Sequence, residues 1–170
     1  KEGLHLLNRA TIAIVQGNLT AAREDLLLAL DIATVLGAEF LRAQVEVNLA
    51  DLLSGVGSQK GAIHMASQAA ERCRQLRQTR LETRAMMVSA IATYRSGAIR
   101  RAEAKITEVR QRFSASQDGE GVLTVDLHLS DMTLAKKEFA LAFQKAEAAR
   151  QAAIKWQRPA SEARALVLMG

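Results

Sequence analysis

Four stretches of this chain carry the same small residues in the same register, forty positions apart, and that spacing constrains the fold more than any other feature. They are VQGNLTAA at 15–22, GVGSQKGA at 55–62, RSGAIRRA at 95–102 and AKKEFALA at 135–142. The first three place glycine at Gly17, Gly57 and Gly97, and all four end on alanine, at Ala22, Ala62, Ala102 and Ala142. Upstream of each stretch lies a further small residue, Ala10, Ala50, Ala90 or Ser130, and Gly170 falls at the next such position. Two antiparallel helices approach closely only where both present small side chains. A tight turn between them favours glycine where φ must be positive.

Composition agrees with helices throughout. The 170 residues hold one proline, Pro159, while about one residue in five is alanine, the best helix former. Hydrophobic residues make up 49% and charged ones 24%, which excludes a disordered chain. Aromatics are only 4%, so the core must be built from Leu, Ile, Val, Met and Ala. Each unit reads as helix A, turn, helix B. In the second unit, helix A covers 39–55, with Leu41, Val45, Leu49, Leu52 and Leu53 at helical spacing, and helix B covers 59–76. Asn18 and Ser58 stand as N-caps of the B helices. Further breaks are expected near Gly37, near Gln78, at the DGEG run 118–121 and at Arg158-Pro159, where proline suits the first turn of a helix. The repeats then span about 1–37, 38–77, 78–117 and 118–157, with 158–170 opening a fifth. A lone helical hairpin cannot bury its apolar face, so such units stack. The chain opens KEGLHLLNRA, without an initiator Met or a signal-peptide pattern, and stops inside helix A of the fifth unit; a single domain from a longer protein is expected.

These residues resemble the tetratricopeptide repeat, or TPR, across essentially the whole chain. The match is best in unit two, with Ala50, Gly57, Ala62 and Ala69, and weakest in unit four, with Ser130, Lys137, Ala142 and Ala149. The family's helix A tyrosine is replaced by Ala13, Leu53, Thr93 and Thr133, its closing proline is missing, and the period exceeds its usual length of about thirty-four. Longer repeats of this kind are similar to those of bacterial signalling proteins, such as LuxR-type transcription activators. The resemblance implies an all-α, right-handed α-solenoid of antiparallel hairpins, whose A helices line a concave groove for a protein or peptide. Carried over by register, the groove positions are Leu7 and Asn8, then Val47, Asn48 and Asp51, then Arg84, Met87, Ile91, Tyr94 and Arg95. Leu7, Val47, Met87 and Ile91 would form an apolar floor, while the polar members would set a ligand's orientation. Asn8 and Asn48 share a position where the family can hold a peptide backbone; tying down neighbouring helices is the plainer alternative. The family's Lys/Asn and Lys/Arg clamp for chaperone tails is not present.

Charge is uneven. Residues 71–112 carry eleven basic and four acidic side chains, net +7, against −2 in 1–70 and zero in 113–170. Arg80, Arg84 and Arg95 fall on one side of a helix, suited to an acidic peptide, while Arg101, Lys105, Glu108 and Arg112 read as a solvated stripe. Without a recognition helix or a stacking platform, nucleic acid is not the expected partner. The histidines, His5, His64 and His128, lie in different units, and no hydrolase, metalloprotease or phosphate-loop motif is present, so neither catalysis, metal nor cofactor is expected. His128 and Asp131 can meet at i, i+3. Cys73 is expected in the core and Trp156 in packing between helices. No apolar run is long enough for a membrane helix, and the single cysteine fits a reducing, cytoplasmic setting. The sequence reading is therefore a non-catalytic binding scaffold. Its alternative is an internal sensor, regulatory or self-association segment of a bacterial signalling or transcription-regulating protein.

Overall fold

The computed structural model describes residues 1–170 as nine α-helices: α1 (Glu2–Val15), α2 (Leu19–Val35), α3 (Glu39–Gly55), α4 (Gln59–Gln75), α5 (Thr79–Arg95), α6 (Ile99–Ala115), α7 (Gly119–Ala135), α8 (Phe139–Lys155) and α9 (Pro159–Met169). Helices α2 to α8 are each seventeen residues long. The backbone repeat is therefore twenty, half the side-chain repeat. Each of α1 to α8 ends in the same turn, with one residue at positive φ every twenty positions from Gly17 to Gln157. The turn closes with the bonds of a Schellman motif: in α3, Ser58 N donates to Leu53 O at 2.9 Å and Gly57 N to Ser54 O at 3.4 Å. Glycine fills this position only at 17, 37, 57 and 97; Arg77, Gln117, Lys137 and Gln157 hold φ of 53–64° with a side chain attached.

The caps follow the sequence in part. Asn18 Oδ1 accepts from Ala21 N at 3.2 Å. Ser58 sits at the N-cap of α4 without a capping bond; its Oγ occupies the space beside Gly61 that a Cβ would fill. The DGEG run is not a loop. Asp118 caps α7 through Gly121 N at 2.9 Å, and both glycines lie in its first turn. A Cβ on Gly121 would come within 2.5 Å of the Phe113 ring, and one on Gly119 within 2.7 Å of Trp156. Glycine here makes room for aromatic rings from neighbouring helices.

The chain forms two compact units, Lys1–Gly97 and Ala98–Gly170. In the first, α1 touches α3 and α3 touches α5, whereas α2 and α4 do not meet. The A helices are thus the closer row of that unit. Its core is Leu6, Leu26, Val45, Leu49 and Leu52 around fully buried Ala10, Ala22 and Ala29, continued by Val47, Ala50, Ala66, Ala69 and Val88. The recurrent small residues are the crossing points: Ala10, Ala50, Ala22 and Ala62 expose nothing. In the second unit, α7 touches α6, α8 and α9, and Leu123, Leu127, Ala149, Ala153 and Ala165 form a core cluster. Ser130 replaces the crossing alanine there, fully buried, and its hydroxyl donates to Ala142 O at 2.8 Å.

Candidate functional site

Polar side chains meet on the A-helix face of the first unit, between α3 and α5. Arg84, exposed on α5, donates from Nη2 to Asn48 Oδ1 on α3 at 2.7 Å. Three turns further along α5, Arg95 donates from Nη1 to Ser54 Oγ at 3.0 Å. Ser54 is buried, and its hydroxyl donates onward to Gln59 Oε1 at 3.3 Å, while Gln59 Nε2 returns a bond to Ser54 O at 3.1 Å. Both guanidiniums are thus steered by neutral acceptors on the neighbouring A helix, and neither is in an ion pair. Eight other arginines go to carboxylates: Arg9 to Asp25, Arg42 and Arg72 to Glu46, Arg74 to Glu71 and Glu82, Arg110 to Asp126, Arg112 to Glu108, Arg150 to Glu147 and Arg158 to Glu120. Within 71–112, Arg72 and Arg110 draw on carboxylates outside the stretch, Glu46 and Asp126, and so offset part of its excess charge. What stands out is a pair of charges held in place without a counterion.

The other sequence-selected positions divide by burial. Asp51 is exposed on α3, one turn from both Asn48 and Ser54, and Asn8 is exposed on α1. Met87 and Tyr94 are half-buried on α5. Leu7, Val47 and Ile91 are 6%, 0% and 6% exposed, so they do not form an open floor. Val47 lies inside the core cluster of α3, α4 and α5. The physical reason is helix rotation: one residue is 100° of turn, and the neighbour of a groove residue points into the core. Asn48 has its carbonyl oxygen occupied by Arg84, so it offers a ligand its NH2 group.

The second unit repeats the first of these contacts. Arg164 Nη2 lies 3.1 Å from His128 Nδ1, in the same register as Arg84 on Asn48 and thirty-six residues apart in both cases. A guanidinium can only donate, so Nδ1 is the acceptor and the imidazole is neutral in this contact. Register alone places Asn48, Ser54, Arg84, Arg95 and His128 on the groove side; it does not give the bonds between them, nor Arg164 as a partner. A step of thirty-six along a forty-residue repeat is the signal that links one A helix to the next.

Cys73 is fully buried, and burial, with lesser contributions from Glu82 and Glu46, pushes its thiol up to about 11. The Arg9 hydrogen bond holds the Asp25 carboxyl below its ordinary value. Lys105 is half-buried rather than solvated, and burial, then Arg101, lowers its ammonium. Two shallow clefts lie off the A-helix face, one along α4 beside His64, Ser67 and Glu71, the other between α1 and α2 beside Arg9, Asn18 and Asp25. Ser67 Oγ is engaged with Ile63 O of its own helix. No group of three His, Cys, Asp or Glu side chains is placed to hold a metal ion. No helix is long and apolar enough to cross a membrane.

No family model matches the chain, and no curated protein matches it in sequence. Among solved structures it is similar to a Rap protein complexed with competence and sporulation factor, at 18% identity and a TM-score of 0.81 over 92% of this chain and 44% of that one. It is also similar to the apo form of RapI, at 13% identity and a TM-score of 0.72 over 99% of this chain and 47% of that one. At these identities the likeness shows the fold: an all-α, TPR-like helical-repeat solenoid. The chain spans less than half the length of either structure.

Proposed function

We propose that this chain is a non-catalytic protein-binding module that holds a peptide segment on the A-helix face of its first unit. The observation that carries the reading is the pair Arg84 and Arg95, fixed by Asn48 and Ser54 and left without carboxylate partners. Asn8, Asp51, Met87 and Tyr94 complete the face, while Leu7, Val47 and Ile91 support it from beneath. That a structural neighbour was solved with a bound factor supports a binding role for this fold. The repeat boundaries drawn from the sequence, with 158–170 opening a fifth unit, belong to the same proposal. So does a cytoplasmic setting, with which Cys73, buried as a free thiol, is compatible.

The test is selection from a random peptide library on the intact chain, repeated on Asn48→Ala and Arg84→Glu after circular dichroism confirms their helix content. Selected segments should bind the parent chain and lose affinity for both variants. Segments that bind the variants equally well would move the site off this face. If no segment is selected and the chain instead associates with itself, the alternative of a self-association or regulatory segment within a larger signalling or transcription-regulating protein takes precedence.

A further inference from the structure

Resting on that reading, we infer that the occupant of the face is an extended segment with acidic side chains at its first and fourth positions, one for each of Arg84 and Arg95. Three observations lead there. The first is electrostatic. Asn48 and Ser54 each occupy a donor of their arginine without neutralising it. Most of the guanidinium's five N–H groups stay available, and their planar fork matches a carboxylate. A neutral anchor fixes position and leaves the charge to the ligand.

The second is spacing. The two guanidinium ends rest over Asn48 and Ser54, six residues apart on α3, which is about 9 Å of helix rise. An extended chain in the polyproline II form advances about 3.1 Å per residue with three residues per turn, so carboxylates three residues apart share a face and span about the same length. Asp51 lies on α3 between the two anchors and is exposed, so an acid at the second or third position meets repulsion. Half-buried Met87 lies between the arginines on α5, giving an apolar residue there something to contact. The third concerns backbone. The NH2 group of Asn48 can donate to a peptide carbonyl. Those carbonyls are accessible in an extended segment and already bonded in a helix.

The experiment is fluorescence anisotropy with labelled decapeptides on an Ala/Ser background, carrying Glu at i and i+3, at i and i+1, at i and i+7, or Gln in place of each Glu. The i, i+3 peptide should bind the intact chain best. Replacing either Glu by Gln should weaken it roughly tenfold, as expected for a charge-assisted bidentate pair. In double-mutant cycles with Arg84→Gln and Arg95→Gln, each Glu should couple to one arginine and not to the other. Affinity should fall between low and high salt. The inference is overturned if the double-Gln peptide binds equally well, if the i, i+7 peptide binds best, or if an oligonucleotide binds with the same dependence on both arginines. Library-selected segments that need Arg84 but carry no acids would overturn this inference and leave the binding face standing. Failure of every peptide would remove both.

Discussion

The second and fourth repeats occupy the same register eighty residues apart, one in each compact unit, and they solve the same packing problems with different chemistry. Where the first unit has Ala50 at its helix crossing, the second has Ser130, whose hydroxyl is satisfied by Ala142 O. Where Gly57 turns the chain, Lys137 adopts the same left-handed backbone. Where Asn48 receives Arg84, His128 receives Arg164. Glu46 is nearly enclosed and joins α3 to α4 through Arg72, whereas Asp126 is 26% exposed and joins α7 back to α6 through Arg110. The difference teaches that the repeat fixes backbone geometry and side-chain volume, while polar identity is free wherever an acceptor or donor is within reach.

The sharpest break in that equivalence lies at the ion pairs. Glu46→Ala should destabilise the protein by about 2–3 kcal/mol, because Arg42 and Arg72 lose a nearly buried common partner. Asp126→Ala should cost no more than about 1 kcal/mol, since both its charges are partly solvated. Urea unfolding midpoints test this, and equal losses would show that burial does not set the difference. At the turns the signs should be opposite. Gly57→Ala should cost about 1 kcal/mol through backbone strain alone, because its Cβ would meet nothing. Lys137→Gly should gain a few tenths of a kcal/mol, the relief of strain exceeding the added freedom of the unfolded chain by a small margin. Thermal denaturation of the two variants is the measurement, and a destabilising Lys137→Gly would contradict it.

At the helix crossings, Ala50→Ser should be tolerated at a cost of about 1 kcal/mol or less, its hydroxyl finding Ala62 O as Ser130 finds Ala142 O. A loss well above that, in the same unfolding assay, would mean the first unit's crossing is tighter than the second's. The smallest signal is chemical. Cys73 has Ala153 as its counterpart, so thiol labelling reports on the first unit alone. With the thiol pushed up to about 11 and no exposed surface, alkylation at pH 8 should be negligible in the native protein and should follow the unfolding curve in urea. Rapid native labelling would show that α4 opens locally.

The polar contacts of the candidate site were legible in part because they rest on the same register as the fold. Asn48, Asp51, Arg84 and Arg95 follow from placing A helices side by side, and of these Arg84 meets Asn48. Leu7, Val47 and Ile91 were not legible as core. Their apolar character suits a groove floor and a core equally, and only the packing of α4 and α5 against α3 closes over Val47. The turns near Arg77, Gln117, Lys137 and Gln157 were expected from the repeat, but their left-handed backbone was hidden for a similar reason. The sequence signals a left-handed turn through glycine, and here tertiary packing imposes the turn on residues that carry a Cβ.

By itself, the sequence determined the helices, the small residues at their crossings and the antiparallel hairpin as the unit, because propensity, side-chain volume and spacing are local properties. Only the tertiary structure decided which arginines are neutralised and which are merely held. Arg72 finds Glu46 and Arg84 finds Asn48. Both choices are made across helices, at separations of twenty-six and thirty-six residues, where geometry rather than local pattern selects the partner.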